Sequence, residues 1–242
     1  MTSYDGAFYT SINEGSRSSA QVLLPILLDL ITVGSVADFG CGQGAWLNVW
    51  RELGIEDVVG VDGDYVDRAA LLIDSDHFVG ADLCRSVDLG RRFDVVQSLE
   101  VAEHLPESAA QELVQTLVRH GDVVIFSAAV PGQGGTDHVN ERPREWWRRL
   151  FAAHGYVVLD PFRRRLCGEK RVKRWYQYNT LLYVRAESLV NFPSLQPFQV
   201  PRDQEIQDVS PVWYKLRKVV LAQLPVRVIN RLARLNIQLQ RS

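Results

Sequence analysis

The chain has 242 residues, of which 46% are hydrophobic and 23% charged, and its net charge is −2. That size fits one domain with an appendage, and that composition belongs to a soluble globular protein with ample material for a core. No stretch reaches the roughly 20 apolar residues of a bilayer span. The opening MTSYDGAFYT lacks the basic start and apolar run of a secretory signal, so a cytoplasmic protein is the expectation. Cys41, Cys84 and Cys167 form no CxxC pair, which argues against both a disulfide framework and a cysteine zinc site.

Charge is unevenly spread. Residues 211–242 hold seven of the 27 basic residues and no acidic one, leaving 20 basic against 29 acidic in the rest, a balance of −9. Such separation points to an anionic partner for the tail: an acidic protein face, a phosphorylated ligand or a lipid surface.

In chain order, a helix is expected over Ser19–Ile31, capped by Ser18 or Ser19, then a strand Ser35–Phe39 stopped by the glycine loop 40–44. A helix Ala45–Leu53, a strand Asp57–Val61 ending at Asp62, a helix near Tyr65–Ile73 and a short strand His77–Ala81 ending at Asp82 follow. Next come a strand Phe93–Leu99, a helix Ser108–Arg119, a strand Asp122–Ser127, a glycine-rich loop Pro131–Thr136 and a helix Arg144–His154. Strands Tyr156–Leu159 and Gln177–Arg185 complete seven. Strands alternating with helices specify an α/β fold, a mostly parallel sheet covered by helices on both faces. The expected organisation is a domain over 1–190, a proline-bearing linker over 191–210, and a helical appendage over 211–242. There two amphipathic basic helices are broken at Pro225, which cannot donate its backbone N–H.

The sharpest local signal is Asp38-Phe39-Gly40-Cys41-Gly42-Gln43-Gly44 between a strand and a helix. Glycines allow a tight turn and let a ligand reach bare backbone, and the helix start behind them presents free N–H groups. Asp62 ends the next strand, 22 residues after Gly40, about the spacing at which a carboxylate can accept from ribose hydroxyls. With Ala45 the loop also satisfies the relaxed dinucleotide rule. Asp38 weighs against that reading, because a carboxylate near the loop suits a positively charged amino acid moiety and repels a pyrophosphate. Asp82, at the end of the third strand, can meet an adenine amino group.

The segment 38–44 resembles the first motif of class I S-adenosylmethionine-dependent methyltransferases. Val59–Asp64 resembles the second motif, Gly80–Leu83 the third, and FDVVQSLEVAEHLP (93–106) the fourth strand and its loop. The resemblance covers about residues 20–185 and implies a Rossmann-like methyltransferase fold with S-adenosylmethionine as methyl donor. It implies that Asp38, Gly40, Cys41 and Gly42 meet the methionine part, Asp62 and Gly63 the ribose, Asp82 and Leu83 the adenine, and that Glu100 adjoins the donor pocket.

Methyl transfer requires alignment of donor and acceptor, and a base where an alcohol must lose its proton. His104 and His138 follow the fourth and fifth strands, and His138, in GGTDHVNE, is the expected catalytic base. Trp146 and Trp147 are expected to pack. Glu100, Glu103, His104 and His138 could form a metal set like that in the resembling 2'-O-methyltransferases of small RNAs. The downstream double-histidine signature of those enzymes is missing, so no metal is expected. The basic run from Arg163 to Arg174, followed by Trp175 and Tyr176, reads as a hairpin that could grip a phosphate-bearing acceptor. Acidity elsewhere argues against wrapping by nucleic acid.

The expected activity is O-methylation of a sugar, glycan or specialised-metabolite hydroxyl, placed by resemblance in natural-product or polysaccharide biosynthesis. An RNA 2'-O-methyltransferase and a non-catalytic methyltransferase-like binding module are the alternatives. For the tail, docking in a homodimer or on the protein itself, and peripheral membrane contact, are the expected roles.

Overall fold

The structure, a computed structural model, describes residues 6–224. Its centre is a seven-stranded sheet of β1 (Ser35–Phe39), β2 (Asp57–Asp62), β3 (Phe78–Gly80), β4 (Val95–Leu99), β5 (Val123–Ser127), β6 (Tyr156–Leu159) and β7 (Leu181–Arg185). The strand order is β3-β2-β1-β4-β5-β7-β6, with only β7 antiparallel to its neighbours. Successive side chains on a strand point to opposite faces, and here both faces are covered. Val36, Val95, Val123 and Ile125 enter one core with Leu23, Leu24 and Leu27 of α1 (Gly6–Leu28) and Leu47 and Trp50 of α2 (Ala45–Glu52). Ala37, Val96, Val124 and Phe126 enter the other with Leu113 and Leu117 of α3 (Ala110–His120) and Trp147 and Phe151 of α4 (Arg144–Ala153). Strand order reverses between β1 and β4, and the crevice beyond their carboxyl ends is where such sheets bind ligands.

Several expected elements take another form. The first helix starts at Gly6 rather than near Ser19, and the Ser18 and Ser19 hydroxyls bond back to the Gly15 carbonyl inside it instead of capping it. The helix expected near 65–73 is replaced by two 3₁₀ turns, Arg68–Ala70 and Ser75–His77. Leu72 N–H donates to the Gln43 carbonyl and Asn48 donates to the Leu72 carbonyl, which ties this segment to the glycine loop. The first residues of the expected seventh strand lie instead in α6 (Arg174–Asn179), because the Gln177 amide donates to the Glu169 and Val172 carbonyls. The basic run is accordingly no hairpin: it spans α5 (Arg163–Leu166), a turn and the start of α6. Arg163 is buried there, held by Asp160 at 2.8 Å and by the Gln207 carbonyl at 2.9 Å.

The stretch 191–210 runs against the outer edge of β6. Val200 N–H donates to the Val158 carbonyl, Asp160 N–H donates to the Phe198 carbonyl, and Leu195 is fully buried. Helix α7 (Val212–Ala222) follows; the second tail helix expected after Pro225 lies outside the described residues. No helix among the described residues is long and apolar enough to cross a membrane.

Phe151 is fully buried and stacks on Tyr183 at 3.9 Å, with Phe126 edge-on at 5.3 Å. Phe151→Ala should cost about 3–5 kcal/mol of stability, read as a lowered urea midpoint at unchanged slope. A loss below about 1 kcal/mol would show that this core can collapse around the gap.

Candidate active site

Three glycines of the loop after β1 adopt left-handed backbone: Gly40 (φ 90°), Gly42 (φ 54°) and Gly44 (φ 84°). Gly40 is confined twice over, since a Cβ there would sit 2.2 Å from the Val101 side chain. Asp62 locks the loop from the neighbouring strand. One carboxylate oxygen accepts from Gly42 N–H and the other from Gly63 N–H, both at 2.7 Å, and the Tyr65 hydroxyl donates to the second oxygen. Tyr65 is 73% exposed and lines the cavity mouth.

These groups open on a cavity of about 460 Å³ lined by Gly40, Gly42, Asp62, Gly63, Asp82, Leu83, Glu100 and His104, among others. Two of the expected donor-binding residues lie off that wall. Cys41 is buried and its sulfur packs against Gly60 of β2, so its side chain is a spacer between loop and strand. Asp38 is buried behind the loop, where burial raises its pKa to about 7; the nearby Gln97 amide pulls it down and the Asp62 charge pushes it up. No cationic side chain pairs with Asp38 among the described residues. A buried acid of this kind favours the approach of a cationic ligand group.

Across the cavity, Glu100 sits at the end of β4 in left-handed backbone (φ 55°). Its carboxylate accepts from Gln133 at 2.8 Å and Asn179 at 3.2 Å, and Asn179 also donates to the Gln133 side-chain amide oxygen at 2.7 Å. Three residues on, in the 3₁₀ turn Ala102–His104, the carbonyl of Glu103 accepts from both Val139 and Asn140 N–H groups, which fastens the His138 loop to the turn after β4. The Glu103 carboxyl is fully buried without a hydrogen-bond partner of ordinary geometry, and burial with the Glu100 charge beside it raises its pKa well above the usual carboxylate range.

His138 stands on that loop with its Nδ1 2.8 Å from Glu141 and its Nε2 against Gly135; its ring lies behind His104 rather than in the cavity lining itself. Glu141 also accepts from the Gly132 and Gly134 N–H groups, so one carboxylate gathers the loop and orients the imidazole. The His104 ring meets His138 edge-on at 5.0 Å. Surrounding protein and the His138 ring lower the pKa of His104, which favours its neutral form. Glu103, His104 and His138 each bring a ligand-type atom within 4.8 Å of the others. Trp147 is buried against Phe126 and Trp146 is half-buried beside it, both in packing positions.

Sequence reasoning assigned no role to Glu141, Gln133, Asn179 or Tyr65. Glu141 stood in the polar cluster around His138, three positions on, and that spacing was the available signal; the pairing of Gln133 with Asn179 across 46 residues had none.

A family model described as a methyltransferase domain matches residues 14–166. The chain belongs to that family. It is a class I methyltransferase, and its methyl donor is S-adenosylmethionine. The solved structures it resembles share its fold at low identity. The sugar N-methyltransferase KedS8 from Streptoalloteichus sp. ATCC 53650 has a TM-score of 0.55 and 18% identity over 76% of this chain and 97% of that one. The magnesium protoporphyrin IX methyltransferase from Synechocystis PCC 6803, solved with bound S-adenosylmethionine, has a TM-score of 0.52 and 18% identity, covering 77% and 86%. The glycopeptide N-methyltransferase MtfA, also solved with S-adenosylmethionine, gives 0.50 and 16%, covering 70% and 92%. No curated protein sequence matches the chain.

The raised pKa of Asp38 sets a pH test. In the free protein its proton is retained up to about pH 7, so its contribution to folding stability falls as pH rises from the ordinary carboxylate range through 7. A cationic donor group favours the ionised form, so donor binding below pH 7 should release up to one proton. Affinity should then fall by up to about tenfold per pH unit below 7. Calorimetry at pH 6 in two buffers of different ionisation enthalpy should detect that proton, and Asp38→Asn should abolish it. Identical heats in the two buffers for the unmodified protein would rule the linkage out.

Proposed function

We propose that this enzyme methylates a hydroxyl of a sugar, glycan or comparable small-molecule acceptor, and that His138 is the base. The observation carrying the reading is the Glu141–His138 pair, which orients the imidazole edge-on to His104, a residue of the cavity wall. In this reading Asp62 and Gly63 hold the donor's ribose, Asp82 and the Leu83 backbone its adenine, and Asp38 with the glycine loop its amino acid end. Glu100, braced by Gln133 and Asn179, shapes the floor between donor and acceptor.

S-adenosylmethionine supplies an already activated sulfonium methyl group. The protein's part is to exclude water, align the acceptor and take its proton. The hydroxyl proton passes to Nε2 of His138 as the acceptor oxygen bonds to the methyl carbon and the carbon–sulfur bond breaks, leaving S-adenosylhomocysteine. Glu141 stabilises the imidazolium so formed, at 2.8 Å from Nδ1. Support for the acceptor class comes from the folds of the sugar and glycopeptide methyltransferases; because both act on nitrogen by description, an amine acceptor is the nearest competitor to a hydroxyl.

One observation favours a second reading of the same groups. Two imidazoles and a buried carboxylate within 4.8 Å form a set that can bind a divalent ion, in which case His138 ligates instead of taking a proton.

His138→Ala should reduce turnover by about 10²–10⁴-fold while donor affinity stays near native. A near-native rate removes His138 from the mechanism, and activity abolished by a chelator and restored by magnesium or manganese selects the metal reading. Asp62→Ala should weaken donor binding by about 1.5–3 kcal/mol, through loss of charge-assisted hydrogen bonds. An unchanged dissociation constant would displace Asp62 from the donor site.

A further inference from the structure

Helix α7 is turned opposite to the usual amphipathic arrangement. Val212, Trp213, Leu216, Val219 and Val220 recur at helical spacing, yet they are 70%, 50%, 62%, 63% and 63% exposed. Such a stripe ordinarily faces the core. Here the inward face is Tyr214 and Lys218, and polar contacts fix it. Lys218 pairs with Asp208, Tyr214 meets Tyr178 at 5.2 Å, and Arg217 donates to the Gln133 carbonyl at 2.9 Å. Gly132 backs directly onto the Lys218 carbonyl, where any Cβ would lie 2.1 Å away. The outward stripe is therefore held in place by its own base.

Its surroundings are cationic. Lys215 and Arg217 are exposed on the same helix, and the Arg174 guanidinium lies over the Trp213 ring at 4.8 Å with exposed Lys173 next to it in the chain. Residues 225–242 add Arg227, Arg231, Arg234 and Arg241 without one acid, while the chain before residue 211 carries a balance of −9.

We propose that the outward face of α7 docks on an anionic lipid surface. An apolar stripe bearing a tryptophan and flanked by Lys and Arg is the combination that settles at an anionic interface. The competing occupants are electrostatically worse. A two-fold contact with a second copy sets the same cations of both chains against each other, and the chain's own residues 225–242 are cationic as well. The acidic remainder of the protein is repelled by such a surface, so this face alone is presented to it. Because α7 contacts Gln133 and Gly132, docking brings the glycine-rich loop of the catalytic site close to the lipid headgroups.

The test is co-sedimentation of the full chain with vesicles of phosphatidylcholine alone or mixed equally with phosphatidylglycerol. Binding is expected only to the mixed vesicles, falling by about tenfold or more as salt rises. The double variant Leu216→Glu/Val220→Glu should lose it with S-adenosylmethionine affinity and melting temperature unchanged. Lys215→Glu, which spares the stripe, should weaken it by about fivefold or more. No binding to anionic vesicles, equal binding to neutral ones, or full binding by the double variant would overturn the proposal. A dimer that the double variant dissociates, with no vesicle binding, would assign the face to a second copy.

Discussion

The site depends on one constraint: two acids, Asp38 and Asp62, brought together at the carboxyl ends of adjacent parallel strands. Pairing of Asp38 with Gly60 places Asp62 level with the glycine loop, where its carboxylate collects the Gly42 and Gly63 N–H groups and the Tyr65 hydroxyl. These bonds fasten the glycine loop to the end of β2 and keep a carboxylate at the cavity wall. Asp38, deeper and nearly dry, pays for its burial by holding its proton to about pH 7.

The wall around Glu100 and the loop of His138 is organised by a different device. The loop after β5 carries no regular structure, and its order comes from two carbonyl bonds to Glu103 and from Glu141, which accepts from two backbone N–H groups and His138. The loop is therefore held by the turn after β4 and by its own acid. Arg217 of α7 adds a third hold at Gln133, whose side chain reaches Glu100. Through Gln133, whose backbone carbonyl meets Arg217 and whose side chain meets Glu100 and Asn179, the tail helix is joined to the loop after β5 and to the cavity.

Much of the donor half was legible in the sequence, because it is local: a strand, a glycine loop and a helix start are contiguous, and each further acid ends its own strand. The unbroken apolar run Val123–Phe126 of β5 likewise specified burial on both faces. The acceptor half was less legible, since Gln133, Asn179 and Glu100 meet from segments up to 79 residues apart. Misread elements share a cause. Tertiary hydrogen bonds overrode local pattern where Gln43 captured the Leu72 N–H and where Gln177 bonded carbonyls of the preceding turn. Arg163 looked like part of a solvent-facing basic patch because nothing local announces Asp160 and the Gln207 carbonyl as its partners.

Two clustered acids, Asp62 in the cavity wall and Asp38 buried behind it, favour a cationic sulfonium nucleoside over a pyrophosphate. The most direct measurement is a side-by-side equilibrium titration of the intact protein with S-adenosylmethionine and with an oxidised nicotinamide dinucleotide. The expected result is saturable one-to-one binding of the first and no measurable binding of the second at the same concentrations. Tight binding of the dinucleotide, with none of S-adenosylmethionine, would contradict the account.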